Sequence, residues 1–232
     1  MNYKDAQEDL RDISNPEIAN HSRHFFKTGE GEYGEGDQFL GIRVPNIRKV
    51  ARRYKKLSLE EVEKLLQSDW HEERLCALII LSNRAKQADE NKLTPIFELY
   101  LANTEYVNNW DLVDTSAGDI VGRYLAAKDR SLLYELADSE SLWERRIAII
   151  STFYYIKNDE FGDTLDIAEI LLNDHHDLIH KAVGWMLREV GKRDRKVEEK
   201  FLDKHLKNMP RTMLRYAIEK FPEERRKHYL NL

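Results

Sequence analysis

Only one of the 232 residues is a cysteine. Cys76 sits in the apolar run Leu75-Cys76-Ala77-Leu78-Ile79-Ile80-Leu81, so the chain has no internal disulfide and no cysteine-built zinc site, and the thiol reads as a core filler in a reducing compartment. Proline is scarce, at 5 residues, too few for a disordered or loop-dominated chain. No uncharged apolar stretch approaches the ~18 residues of a membrane span. The opening Met1-Asn2-Tyr3-Lys4-Asp5-Ala6-Gln7-Glu8-Asp9-Leu10 lacks the basic and then apolar order of a secretory signal. These absences lead us to expect a cytoplasmic protein. What is present is 41% hydrophobic and 34% charged residues, enough for a sizeable core and a well-solvated surface.

The net charge of −5 argues against nucleic-acid binding until it is divided along the chain. Residues 181 to 232 hold 15 Lys and Arg against 8 Asp and Glu. A second basic run, Arg43, Arg48, Lys49, Arg52, Arg53, Lys55 and Lys56, contains no acid. Either run alone fits a solvated helix face equally well. Half of the 10 glycines lie between Gly29 and Gly41. This stretch reads as a loop and not a phosphate cradle, because Glu30, Glu32, Glu35 and Asp37 would repel phosphate and no Gly-Lys-Ser/Thr ending follows.

Beyond Pro45 apolar residues recur at helical spacing, without the β-branched runs and paired turn residues of strands. The sequence therefore predicts an all-α protein. Five segments resemble one another, with Ala77, Ala117, Ile149, Gly184 and Ala217 in register at spacings of 40, 32, 35 and 33 residues, the period of stacked helical pairs. Such units bury their apolar faces only by piling up, which predicts an α-α superhelix of HEAT-like repeats with a concave basic face. We expect one such domain over residues 1–232.

Three positions before the register residues stand Arg74, Asp114, Arg146, Lys181 and Leu214. A row of cations on one face suits a phosphate backbone. The lone carboxylate, Asp114, is the exception and is either functional or a helix cap or ion-pair partner of Arg146. Trp110 precedes Asp114 by four residues, one helical turn, and its neighbours Asn108, Asn109 and Asp111 are polar. Aromatics beside a carboxylate among cations suit the stabilisation of a cationic transition state next to a polyanion. His176 and His180 are four apart but lack the metalloprotease glutamate, so no metal is assigned. Ser116 lacks a nucleophile-elbow context and Cys76 lies in an apolar helix, which leaves nucleophilic catalysis without a candidate.

Five strings in order carry a resemblance: Phe39-Leu40-Gly41-Ile42-Arg43-Val44-Pro45; Asn108-Asn109-Trp110-Asp111-Leu112-Val113-Asp114; Trp143-Glu144-Arg145-Arg146; Lys181-Ala182-Val183-Gly184-Trp185-Met186-Leu187-Arg188-Glu189; and Arg215-Tyr216-Ala217-Ile218-Glu219-Lys220-Phe221-Pro222. Over nearly its whole length the chain resembles the DNA alkylation repair glycosylases built from HEAT-like repeats. The resemblance implies excision of positively charged alkylated purines, such as 3-methyladenine and 7-methylguanine, from duplex DNA without base flipping. A monomer is expected because solenoids of this length are usually self-sufficient, and no cofactor or metal is expected. The resemblance puts the catalytic aspartate at Asp114, the active-site tryptophans at Trp110 and Trp185, and a backbone-gripping arginine at Arg146. Lys181, Arg188, Lys192 and Arg43 are the further expected DNA contacts. Two features depart from the family pattern: Asn109-Trp110 stands where some members carry adjacent tryptophans, and the acidic glycine-rich loop precedes Phe39. Related branches bind branched DNA without efficient excision, so a DNA-structure binder and a helical protein scaffold remain the alternatives.

Overall fold

The computed structural model describes residues 1–231. Among them no residue belongs to a β-strand, and a single isolated bridge joins Gln38 to Trp70. The protein is all-helical, and its helices fall into two compact units, Met1–Ile120 and Val121–Leu232.

The first unit contains α1 (Tyr3–Arg11), α2 (Pro16–Phe25), α3 (Val44–Arg53), α4 (Leu59–Leu66), α5 (His71–Ala85), α6 (Glu90–Ala102) and α7 (Trp110–Ala117). Most starts are written in the sequence as caps that satisfy otherwise orphaned N–H groups. Asn2 forms a capping box with Asp5, Asn15 precedes a proline at the start of α2, and Ser58 and Asp89 accept from the first turns of α4 and α6.

Helix α3 lacks a side-chain cap, and so does α5, which is the hub. The first turn of α5, His71-Glu72-Glu73-Arg74, is buried in full. Four buried charges in a row persist only when each is partnered. Glu72 accepts three backbone N–H bonds, from Leu40 (2.8 Å), Gly41 (2.7 Å) and Ile42 (3.1 Å). Glu73 accepts from Gln7 (2.6 Å) and Arg11 (3.1 Å) of α1 and from Ser68 (2.6 Å). Gly41 belongs here for its backbone: its φ is +78°, and a Cβ would stand 2.1 Å from the Asn15 carbonyl oxygen. Glu72→Gln puts an amide N–H against the Leu40 N–H and removes a charge-assisted acceptor. We expect it to lower unfolding stability by about 2 kcal/mol, measured by urea denaturation.

The second unit contains α8 (Arg123–Leu125), α9 (Ser131–Ala137), α10 (Leu142–Ser151), α11 (Phe153–Ile156), α12 (Gly162–Ile170), α13 (Asp177–Arg193), α14 (Arg195–His205), α15 (Arg211–Ala217) and α16 (Glu223–Asn231). The five register residues fall on α5, α7, α10, α13 and α15, and all are buried. Gly184 lets α13 approach α15 closely, since a Cβ there would meet the Met213 carbonyl oxygen at 2.4 Å.

Hydrogen bonding corrects the register by one position. In the first unit Ser68 Oγ donates to Glu73 at 2.6 Å, accepts from Trp70 N–H at 3.1 Å, and its carbonyl takes Arg74 Nη1 at 2.9 Å. In the second, Ser139 donates to Glu144 at 2.5 Å, accepts from Ser141 N–H at 3.1 Å, and its carbonyl takes Arg145 Nη1 at 2.9 Å. Arg74 is therefore equivalent to Arg145 and not to Arg146. Each of the two arginines also reaches the loop ahead of a later helix: Arg74 bonds Asn108 before α7, and Arg145 bonds Asp174 before α13. They tie one repeat to another. The expected row of cations on an open face is not there, because Arg74 and Arg146 are only 3% and 5% exposed.

Candidate active site

Trp110 and Asp114 stand where the helical spacing puts them, at the start of α7 and one turn along it. Asn109 caps the helix, accepting from Trp110 N–H at 2.9 Å, so capping is not the role of Asp114. Leu112, Val113, Ser116 and Ala117 face the core, while Trp110, Asp111, Asp114 and Thr115 are half-buried and line a cleft of about 900 Å³. Behind α7 the buried Tyr100 hydroxyl meets Ser116 Oγ at 3.1 Å. Burial and, more weakly, the Asp114 charge push that phenol above its usual range, against the effect of the Ser116 hydrogen bond.

The other cleft walls come from α3 and the chain after it, and from α5. They bring in Arg48, Arg52, Lys55 and Lys56, all exposed and, among the described residues, without an ion pair or side-chain hydrogen bond. This is the acid-free run seen in the sequence, yet its individual cations were not expected at the site. The signal for them was the spacing of Arg48 and Arg52, one turn apart on α3 beside the buried Ile47, Val50 and Ala51, with Lys55 and Lys56 just past its end. Two further cations at the cleft are committed elsewhere: Arg84 donates to the carbonyls of Lys55 and Leu57, and Lys86 pairs with Asp119 at 2.9 Å. Arg43, the one member of the run expected to contact DNA, is exposed at the start of α3 and does not line the cleft.

Trp110 is held by rings. Phe26 stacks on it at 5.3 Å between centroids and 18° between planes, and Phe25 meets it edge-on at 5.9 Å. Phe25 is 56% exposed, so a second aromatic surface lies beside Trp110 although the preceding residue is Asn109. Beneath Phe26 lie Phe39 and the His71 ring. His71 Nδ1 stands 2.7 Å from Asp37 and Nε2 2.9 Å from Asp111. Burial opposes its charge, but the two carboxylates outweigh burial and raise its pKa to about 9.

The glycine-rich loop proves to be ordered by its own acids. Glu32 accepts from Gly29 N–H, Glu35 from Gly31 N–H, and Asp37 pairs with both His71 and Arg74. The hydrogen bonds and charges of His71 and Arg74 hold the Asp37 carboxyl below its usual range, overcoming its burial.

In the second unit, Lys181, Trp185, Arg188 and Lys192 share one face of α13 at helical spacing. Each of these cations has an acid: Lys181 meets Asp177 at 2.6 Å, Arg188 meets Glu219, and Lys192 meets Glu189 at 2.6 Å. Trp185 is half-buried and donates its indole N–H to Glu189 at 3.0 Å. Arg146 is buried in α10 and donates to the Leu178 carbonyl at 2.5 Å. Burial, helped by Glu73, pushes the Cys76 thiol up to about 12, which leaves almost no thiolate at neutral pH. His180 is spent on the Asp174 carbonyl at 2.5 Å. No group of three His, Cys, Asp or Glu side chains among the described residues is placed to hold a metal, and no helix is long and apolar enough to cross a membrane.

Comparison with known proteins agrees with this all-helical build. No curated protein matches the chain. Among solved structures, a predicted DNA alkylation repair enzyme from Enterococcus faecalis superposes with a TM-score of 0.69 at 17% identity, over 90% of this chain and 97% of that one. AlkD2 from Streptococcus mutans superposes at 0.55 and 18% identity, over 95% and 97%. At these identities the two structures share the fold alone. The sequence model described as DNA alkylation repair enzyme matches residues 6–221, and with α2 through α15 inside that match the chain belongs to the DNA alkylation repair enzyme family.

Proposed function

We propose that the protein is a monofunctional DNA glycosylase that hydrolyses the N-glycosidic bond of positively charged alkylated purines, 3-methyladenine and 7-methylguanine among them, in duplex DNA. One observation carries this: the carboxylate of Asp114 lies one turn from a ring-anchored tryptophan, in a cleft that Arg48, Arg52, Lys55 and Lys56 line with exposed positive charge.

The chemistry follows from those groups. An alkylated purine carries formal positive charge and leaves with the C1′–N bond pair, becoming neutral, so no acid need protonate it. The deoxyribose left behind is oxocarbenium-like. Asp114 stabilises that charge and takes a proton from the water whose oxygen then bonds to C1′. Trp110 offers its π face to the same cationic sugar. Arg48, Arg52, Lys55 and Lys56 hold the flanking phosphates, whose charge would otherwise be repelled by Asp114. Base and sugar are discriminated by charge, which fits a mechanism that leaves the base stacked in the helix. Trp185 is the second proposed aromatic contact, and Arg43, Arg146, Lys181, Arg188 and Lys192 are proposed backbone contacts of the same reaction. No lysine is assigned as a Schiff-base nucleophile, and no cofactor is invoked.

The test is release of free 3-methyladenine and 7-methylguanine from methylated duplex DNA in the presence of chelator. Release well above the spontaneous rate supports the proposal. Tight DNA binding without release favours the alternative, a binder of branched or damaged DNA, and that protein would prefer junctions to duplex.

A further inference from the structure

The Asp37–His71–Asp111 bridge is not accounted for by the reaction above. It joins three segments of the first unit: the end of the glycine-rich loop, the first residue of α5 and the second residue of α7. A neutral imidazole has one N–H and cannot donate to two carboxylates, and with both ring nitrogens within 2.9 Å of carboxylate oxygens, the neutral form would set a lone pair against an anion. The ring is therefore an imidazolium. Arg74 Nη2 takes the other Asp37 oxygen at 2.7 Å, and Asp111 Oδ1 accepts from the Leu112 N–H at 3.0 Å. Two cations face two anions, and the cluster is balanced inside the protein.

The same ring is also the floor of the aromatic stack. Phe39 lies on it at 4.5 Å and 23°, and Phe26 at 4.9 Å, each presenting π density to a cation. Phe26 then stacks on Trp110. His71 thus reaches the first turn of α7 twice, through Asp111 by charge and through Phe26 by ring contact.

We propose that His71 is a positioning residue of this site: as an imidazolium clamped between Asp37 and Asp111 it fixes the orientation of Trp110 and ties the glycine-rich loop to the helix that carries Asp114. The functional part of this inference rests on the proposed glycosylase activity, whereas the orientation of Trp110 does not. In productive geometry a π face aimed at a developing cation must be fixed to within a fraction of an ångström. A ring stack whose lowest member is charged and bonded at both ends supplies that rigidity.

The experiment reads Trp110 first. The fluorescence and near-ultraviolet circular dichroism of the full-length chain, minus those of Trp110→Phe, isolate the Trp110 signal. The groups facing His71 are Asp37, Asp111 and Arg74. Because its pKa is raised above the free value of 6.5 to about 9, the clamp is intact at neutral pH and is lost as pH rises through about 9. We expect the Trp110 signal to be flat from pH 6 to 8 and to change with a midpoint near 9. In His71→Gln the signal should be altered at pH 7 and have no such midpoint. Single-turnover excision by His71→Gln should fall about tenfold with duplex affinity within twofold of wild type, a loss of positioning rather than of binding.

A Trp110 signal that does not titrate in the wild-type chain overturns the proposal without any variant. So does a His71→Gln signal that superposes on wild type. If His71→Gln fails to fold, Asp37→Asn opens only the loop side of the clamp, and a wild-type Trp110 midpoint in that variant overturns the proposal as well. A Trp110 signal that behaves as expected in a protein that releases no methylated base would leave the clamp standing and remove the glycosylase reading.

Discussion

Asp114→Asn is expected to slow release of 3-methyladenine and 7-methylguanine by a hundred- to a thousandfold, the usual cost of removing one group that stabilises transition-state charge. Duplex affinity at low salt should be unchanged or higher. The substitution is nearly isosteric and does not touch the start of α7, which is capped by Asn109 and pinned through Asp111. It removes one negative charge from the cleft, while Arg48, Arg52, Lys55 and Lys56 stay in place. Phosphate therefore meets a more positive surface as the oxocarbenium loses its counter-charge. Asp111→Asn separates function from fold, because Asp111 is a partner of buried His71 and its loss should lower stability as well as rate. Wild-type release by Asp114→Asn, in a chain that folds and binds normally, would refute the catalytic assignment.

Much of this was legible in the sequence. Trp110 and Asp114 are four residues apart, and α7 is helical across both, so the spacing alone placed them on one face. The Arg43 to Lys56 run was visible as charge without acid, and all seven of its cations are exposed, four of them at the cleft. The repeat register was legible only to within one residue, for a physical reason: Ala148 and Ile149 are both fully buried, so apolar pattern cannot say which of them matches Ala77. The choice is made by Ser68 and Ser139 with Glu73, Glu144, Arg74 and Arg145, hydrogen-bonding groups that hydrophobic periodicity ignores. The hub was not legible at all. Arg74 reads as one of a row of cations and Asp37 as an acid of a loop, and nothing in the pattern singles out His71, Glu72 or Glu73. Apart from Ser68, their partners lie 30 to 66 residues away in sequence, and no local pattern records such pairings.

Replacing Arg48, Arg52, Lys55 and Lys56 together by glutamine should flatten the salt dependence of DNA binding more than any other set of four cations in the chain. Each cation that neutralises a phosphate contributes about 0.9 to the slope of log affinity against log salt, so four contribute about 3.6. Between 50 and 200 mM salt that slope amounts to a loss on the order of 100-fold in affinity, which the variant would no longer show. Stability should change little, since these four side chains are exposed and make no ion pair among the described residues, and the helix face beneath them, Ile47, Val50 and Ala51, is untouched. The α13 cations provide the contrast. Lys181, Arg188 and Lys192 are each bonded to an acid, so DNA must compete with Asp177, Glu219 and Glu189 for them. Neutralising them exposes those carboxylates, and we expect affinity to fall at every salt concentration with a smaller change of slope. Fluorescence anisotropy across a salt series measures both. A wild-type slope in the α3 variant would mean that the cleft beside Asp114 does not bind the DNA backbone, and the reaction proposed for Asp114 would then lose its substrate.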